Sequence, residues 1–106
     1  MAKYLFEVKY TLPGLQGLLA EGGTSRLVAA TAAADSLGGT VEAFYYAFGE
    51  HDIYGIIDMP DEESMAAYAM RITSAGGVTA RTVSLLTAAQ VDRAAAMQVG
   101  YRPPGG

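Results

Sequence analysis

The stretch Phe44 to Asp58 constrains this chain more than any other. Phe44-Tyr45-Tyr46-Ala47-Phe48 and Ile53-Tyr54-Gly55-Ile56-Ile57 are extended runs, favoured by aromatic and β-branched residues. Gly49-Glu50-His51-Asp52 between them is a polar breaker. The stretch reads as a hairpin in the middle of a small sheet. An alanine-rich segment of helical period precedes it, and another follows it.

The remaining elements fall around that hairpin. Lys3 to Tyr10 alternates, with Tyr4, Phe6, Val8 and Tyr10 on one face and Lys3, Leu5, Glu7 and Lys9 on the other. Pro13-Gly14 ends this strand, and Pro13 starts a short helical turn through Leu15, Leu18 and Leu19 that Gly22-Gly23 stops. Thr24 or Ser25 then caps a helix whose stripe is Leu27, Val28, Thr31, Ala34 and Leu37. Thr40 to Phe48 is the second strand, with Glu42, Phe44, Tyr46 and Phe48 on one face. The third runs from Asp52 to Met59, with Asp52, Tyr54, Ile56 and Asp58 on one face. Asp61 caps a helix carrying Met65, Tyr68, Ala69 and Ile72, and Gly76-Gly77 closes it. Val78 to Leu85 is the fourth strand. Thr87-Ala88-Ala89-Gln90 resembles a capping box and opens a short helix over Ala88 to Met97.

The first six main elements give a ferredoxin-like βαββαβ order, an α+β fold with an antiparallel sheet, plus a short C-terminal helix. Residues 1–98 are expected to form one domain and 99–106 a flexible tail. Two principal helices cover one sheet face. The other, holding Leu5, Phe44, Phe48, Ile56 and Val83, calls for a second copy of the sheet, so a homodimer or higher homo-oligomer is expected.

Composition supports that expectation. Of 106 residues, 51% are apolar and only 17% charged, which leaves little charge for a free monomer surface. A net charge of −4 with seven basic residues argues against nucleic acid or an anionic membrane as partner. Without cysteine there is no disulfide and no thiolate chemistry, which fits the cytoplasm. Met1 to Tyr10 lacks a signal peptide's apolar core, and no apolar run reaches the ~20 residues that span a bilayer.

The open face also collects Glu7, Lys9, Glu42, Tyr46, Tyr54, Asp58 and Arg81. Shielded there, a carboxylate can serve as general base while Tyr and Arg steady an oxyanion. The same groups can instead pair, Glu7 or Asp58 with Lys9 or Arg81, and set the sheet register. His51, the one histidine, is suited either to proton transfer or to a plain turn position. Glu50, His51 and Asp52 are adjacent and do not converge on one ion, so neither a metal nor another cofactor is expected. Asp52 is expected to fix the hairpin by accepting backbone N–H bonds. Gly22-Gly23-Thr24-Ser25-Arg26 can hold a phosphate or carboxylate at a helix start, or can be a flexible turn with Arg26 paired to Glu21.

Ala47-Phe48-Gly49-Glu50-His51-Asp52 resembles the hairpin motif of the GYD-domain family, with His51 where that family usually has Tyr. Further matches are Tyr10-Thr11, Gly14, Gly17, Glu21 to Arg26, Leu37-Gly38-Gly39, Phe44-Tyr45, Pro60-Asp61 and Leu85-Leu86-Thr87. The resemblance covers the chain to about Ala94 and implies a dimeric α+β barrel of unknown function. Relatives in that superfamily include small oxygenases, cyclases, haem enzymes and proteins with no known activity. Three functions follow as expectations. The first is a homo-oligomer binding a small polar or aromatic molecule on the sheet face. The second is a cofactor-independent oxygenase or cyclase using Glu7, Asp58 or His51 as base, with Tyr54, Tyr46 and Arg81 as donors. The third is a structural or interaction protein in which every polar group is paired.

Overall fold

The computed structural model describes Met1 to Gly106. Its elements are β1 (Ala2–Tyr10), α1 (Leu12–Glu21), α2 (Gly23–Asp35), β2 (Thr40–Tyr46), β3 (Ile53–Met59), α3 (Glu62–Ser74), β4 (Val78–Leu85) and α4 (Ala88–Ala96). The four strands form one antiparallel sheet in the order β2-β3-β1-β4. This is the ferredoxin-like arrangement, with one helix added before α2.

One sheet face makes the core. Tyr4, Phe6 and Val8 of β1 and Ile53, Ile57 and Met59 of β3 lie buried against Ala34 of α2 and Met65 and Tyr68 of α3. Alternation in β1 and β3 therefore does what a half-buried strand requires. α3 starts where its sequence says it should, with the Asp61 carboxylate accepting the Ser64 N–H at 2.7 Å. α4 likewise has both halves of its capping box, between Thr87 and Gln90.

The helices before β2 differ from expectation. α1 is a full ten-residue helix rather than a short turn, capped by Thr11, whose hydroxyl accepts the Gly14 N–H at 3.3 Å. α2 begins one residue before Thr24. Gly22 stands at its N-cap with φ of 88°, and no side chain caps it. Its packing surface is made by alanines: Ala34 has 0% exposure and Ala33 packs beside it, whereas Leu27 and Val28 face outward. Small side chains let the helix axis approach the sheet closely, which a Leu27–Val28 stripe would prevent.

β2 carries the main correction. Val41 pairs with Ile57 and Ala43 pairs with Ile56, so the register shifts between them at a bulge. Beyond it the faces exchange. Ala43 and Tyr45 turn to the open face, while Phe44 and Tyr46 turn to the helix side. Phe44 packs against the core across from Gly55, and its ring meets Tyr46 edge-on at 5.4 Å. Phe48 belongs to neither face. β2 ends at Tyr46, the Ala47 N–H closes the loop on the Asp52 carbonyl at 2.8 Å, and Phe48 stands fully exposed at the tip.

The chain measures 59 × 32 × 22 Å, with a radius of gyration of 17.0 Å. A compact chain of this length has a radius near ~13 Å. The excess comes from α4 and the residues after it, none of which is buried.

Candidate functional site

The open sheet face is ordered in three cross-strand rows. Ala43, Ile56, Leu5 and Val83 form an apolar middle row. Tyr45, Tyr54, Glu7 and Arg81 form the row nearest the β2–β3 loop, and Thr40, Asp58, Lys3 and Leu85 form the row at the far end. The expected polar groups are thereby divided into two clusters with hydrocarbon between them.

At the far end, Lys3 Nζ lies 2.6 Å from Glu42 and 3.0 Å from Asp58. The hydrogen bonds that Lys3 donates to Glu42 and then to Asp58 raise its pKa above the usual lysine value. Asp58 and Glu42 are thus paired with Lys3, not with Lys9 or Arg81.

At the loop end, His51 Nδ1 is 3.6 Å from the Glu7 carboxylate and 3.4 Å from the Tyr54 hydroxyl. The side chains of His51 and Glu7 keep only 12% and 15% exposure. His51 is therefore not a free turn residue. The loop folds it back over β1, where it covers Glu7 and meets Tyr54 edge-on. Arg81 is opposite Glu7 in register but forms no ion pair with it. Asp52 accepts the Tyr10 N–H at 2.8 Å, and its own N–H donates to the Val8 carbonyl at 2.8 Å. Its carboxylate ties the loop to β1 while its carbonyl accepts the Ala47 N–H within the loop, and Lys9 Nζ is 3.8 Å away.

Beside a second hollow of about 460 Å³ between α2 and α3, a cavity lies on the other side of the sheet, under the helices. It has a volume of about 380 Å³. Phe6, Phe44 and Tyr68 give it aromatic walls, Gly55 sits in its floor, and Gly17 of α1 lines its rim. Charged groups reach it only at the edge, as Glu21, Arg26 and Arg71. Arg26 Nη1 contacts Glu21 at 3.5 Å. Tyr10 is also part of the lining. Burial, then the neighbouring Tyr46 hydroxyl, push its pKa up to about 12, so it is a neutral donor at ordinary pH. Tyr46 donates to the Gly23 carbonyl at 3.0 Å and pins the start of α2. Tyr68 donates to the Ala30 carbonyl at 3.1 Å and pins its middle.

Of the expected site residues, Glu7, His51 and Tyr54 meet, and Lys9 and Arg81 flank them. Asp58 and Glu42 form the separate cluster. Tyr46 faces away from all of these, and Arg26 lines the cavity. Sequence reasoning passed over Tyr10, Tyr68, Glu21, Arg71, Gly17 and Gly55. The available signals were Gly55 on a strand face otherwise filled by Ile53 and Ile57, and Gly17 in the middle of a helix.

The tie from Asp52 to β1 gives the hairpin motif a physical role, and the likeness extends well beyond it. The sequence profile of the GYD domain matches residues 4–95. The chain belongs to the GYD domain family. Neither a curated protein nor a solved structure matches it. In this GYD domain the matched region takes in the sheet except Ala2 and Lys3 of β1, α1 to α3 and nearly all of α4. No helix is long and apolar enough to cross a membrane, and no cluster of His, Asp and Glu is arranged to hold a metal ion.

Proposed function

We propose that this GYD domain binds a small, mainly apolar molecule in the cavity between its sheet and α1–α3, and that it works as a homo-oligomer joined through the open sheet face. The cavity carries the reading. Its volume of about 380 Å³ falls within the range of small-molecule sites, and most of its lining is apolar with a few polar groups at one edge. Gly17 strengthens the case. A glycine inside a helix costs roughly 0.5–1 kcal/mol relative to alanine, and a Cβ at Gly17 would meet nothing within 4 Å. Nothing in the packing demands glycine there, while a larger side chain would intrude on the cavity rim.

The test is thermal shift with 2-naphthalenemethanol, a neutral two-ring probe. The wild type is expected to be stabilised in proportion to ligand concentration, and Gly17→Leu to remain folded without responding. A wild type that shows no shift, or a Gly17→Leu variant that shifts equally, refutes the cavity as the binding site.

A second reading, an enzyme without cofactor, rests on Glu7, His51 and Tyr54. A largely buried imidazole between a carboxylate and a phenol can move a proton. That cluster faces the proposed subunit interface, so its substrate would enter between protomers rather than under the helices.

A further inference from the structure

The cavity's edge bears on the charge of its ligand. Two guanidinium groups, Arg26 and Arg71, and one carboxylate, Glu21, are the charged side chains among its lining residues. The chain as a whole has the opposite balance, with 7 basic and 11 acidic residues. A local excess of positive charge therefore marks the opening of an apolar cavity in an acidic protein.

The two arginines are not equivalent. Arg71 lies in the last turn of α3, where a cation complements the helix dipole without any ligand. Arg26 has no such duty, because it is in the first turn of α2, the end that disfavours a cation. Its contact with Glu21 is single and long, at 3.5 Å, between side chains that are 43% and 50% exposed. A pair of that kind is weak and leaves most of the guanidinium fork free. Tyr10, a second lining donor, lies close enough to feel the charge of Arg26.

The interior defines the rest of the ligand. An apolar cavity of ~150 Å³ accommodates benzene, so one of about 380 Å³ has room for two fused rings. Phe6, Phe44 and Tyr68 offer ring faces and edges to such a body, and the missing side chain at Gly55 lets it lie against the sheet.

Resting on the binding reading above, we propose that the ligand is a two-ring aromatic carboxylic acid. Its rings lie between Phe44, Gly55 and α1, and its carboxylate takes the fork of Arg26 from Glu21, with the Tyr10 hydroxyl as second donor.

The experiment compares 2-naphthoate with neutral 2-naphthalenemethanol by isothermal titration at neutral pH, using wild type, Arg26→Gln and Glu21→Gln. The expected result for wild type is a preference for the acid of about tenfold or more, the worth of one charge-assisted hydrogen bond. Arg26→Gln is expected to erase that preference and leave the alcohol's affinity unchanged. Glu21→Gln, which removes the competitor, is expected to tighten the acid alone. Equal binding of acid and alcohol by wild type, or equal weakening of both by Arg26→Gln, overturns the anionic ligand while the cavity reading stands. Failure of wild type to bind either compound overturns both.

Discussion

Replacing Tyr68 by phenylalanine separates the two things that its hydroxyl does. In the folded chain Tyr68 is 3% exposed and donates to the Ala30 carbonyl at 3.1 Å, holding α2 over the cavity. Losing that bond costs about 1 kcal/mol at neutral pH. Burial also raises the phenol's pKa from 10.0 to about 12. A raised acid favours the folded state while protonated, so this contribution is complete below pH 10 and is lost as pH rises through about 12. With about 1.4 kcal/mol per pKa unit, wild type has lost roughly 1.4 kcal/mol from this source by about pH 11. The Phe variant has no such group to ionise. Its deficit of about 1 kcal/mol should shrink from pH 10 upward, reach zero near pH 11, and then reverse. Urea unfolding of both proteins at neutral pH and at about pH 10 and 11 measures it. Every other titrating group, Tyr10 included, is common to the two and cancels in the difference. A gap that stays constant from neutral pH to about pH 11 refutes the buried, neutral phenol.

Three further outcomes follow from the packing. A Cβ at Gly14 would overlap the Gly77 carbonyl, so Gly14→Ala should destabilise by about 3 kcal/mol in denaturant unfolding, whereas Gly17→Ala should stabilise by about 0.5–1 kcal/mol. Equal effects at the two sites would show that α1 is not seated as described. Asp52→Ala should cost about 1–3 kcal/mol and speed hydrogen exchange at the Tyr10 amide, which the carboxylate accepts at 2.8 Å; unchanged exchange would contradict the tie. Ile56→Asp, in the middle of the apolar row, should convert the proposed oligomer to an 11.1 kDa species by sedimentation velocity while leaving the helix-side core folded. A wild type that is already monomeric at low micromolar concentration would end the assembly proposal.

The fold was legible because its signals are local. Alternation in β1 and β4, the Asp61 cap and the Thr87–Gln90 box each specify an element through neighbouring residues, and their order implies the sheet. The site was less legible because its geometry depends on strand register and on distant partners. The bulge between Val41 and Ala43 is not marked by glycine or proline, so strict alternation placed Phe44 and Tyr46 on the wrong face. His51 reaches Glu7 through the path of a six-residue loop, and Asp58 chooses Lys3 because β1 and β3 pair those two positions directly. Alanine at 30, 33 and 34 reads as helix propensity, yet its effect is to set how closely α2 approaches the sheet and how much space remains beneath it.

The bulge makes β2 sensitive to its length in a way that its composition conceals. Val41 and Ala43 contact successive residues of β3, so Glu42 is the odd residue in the count. Straightening the strand at unchanged length would slide every later residue of β2 by one position, whereas deleting that single codon would make the pairing regular with Ala43 still opposite Ile56 and Phe44 still opposite Gly55. In the first case Phe44 would lie on the open face and the cavity would lose an aromatic wall without any aromatic residue having been replaced. Changes therefore probe different properties of this strand according to their place: a substitution or deletion at position 42 tests a pair with Lys3, whereas one residue inserted after Ala43 would turn Phe44 to the other face and test which side of the sheet can bind anything at all.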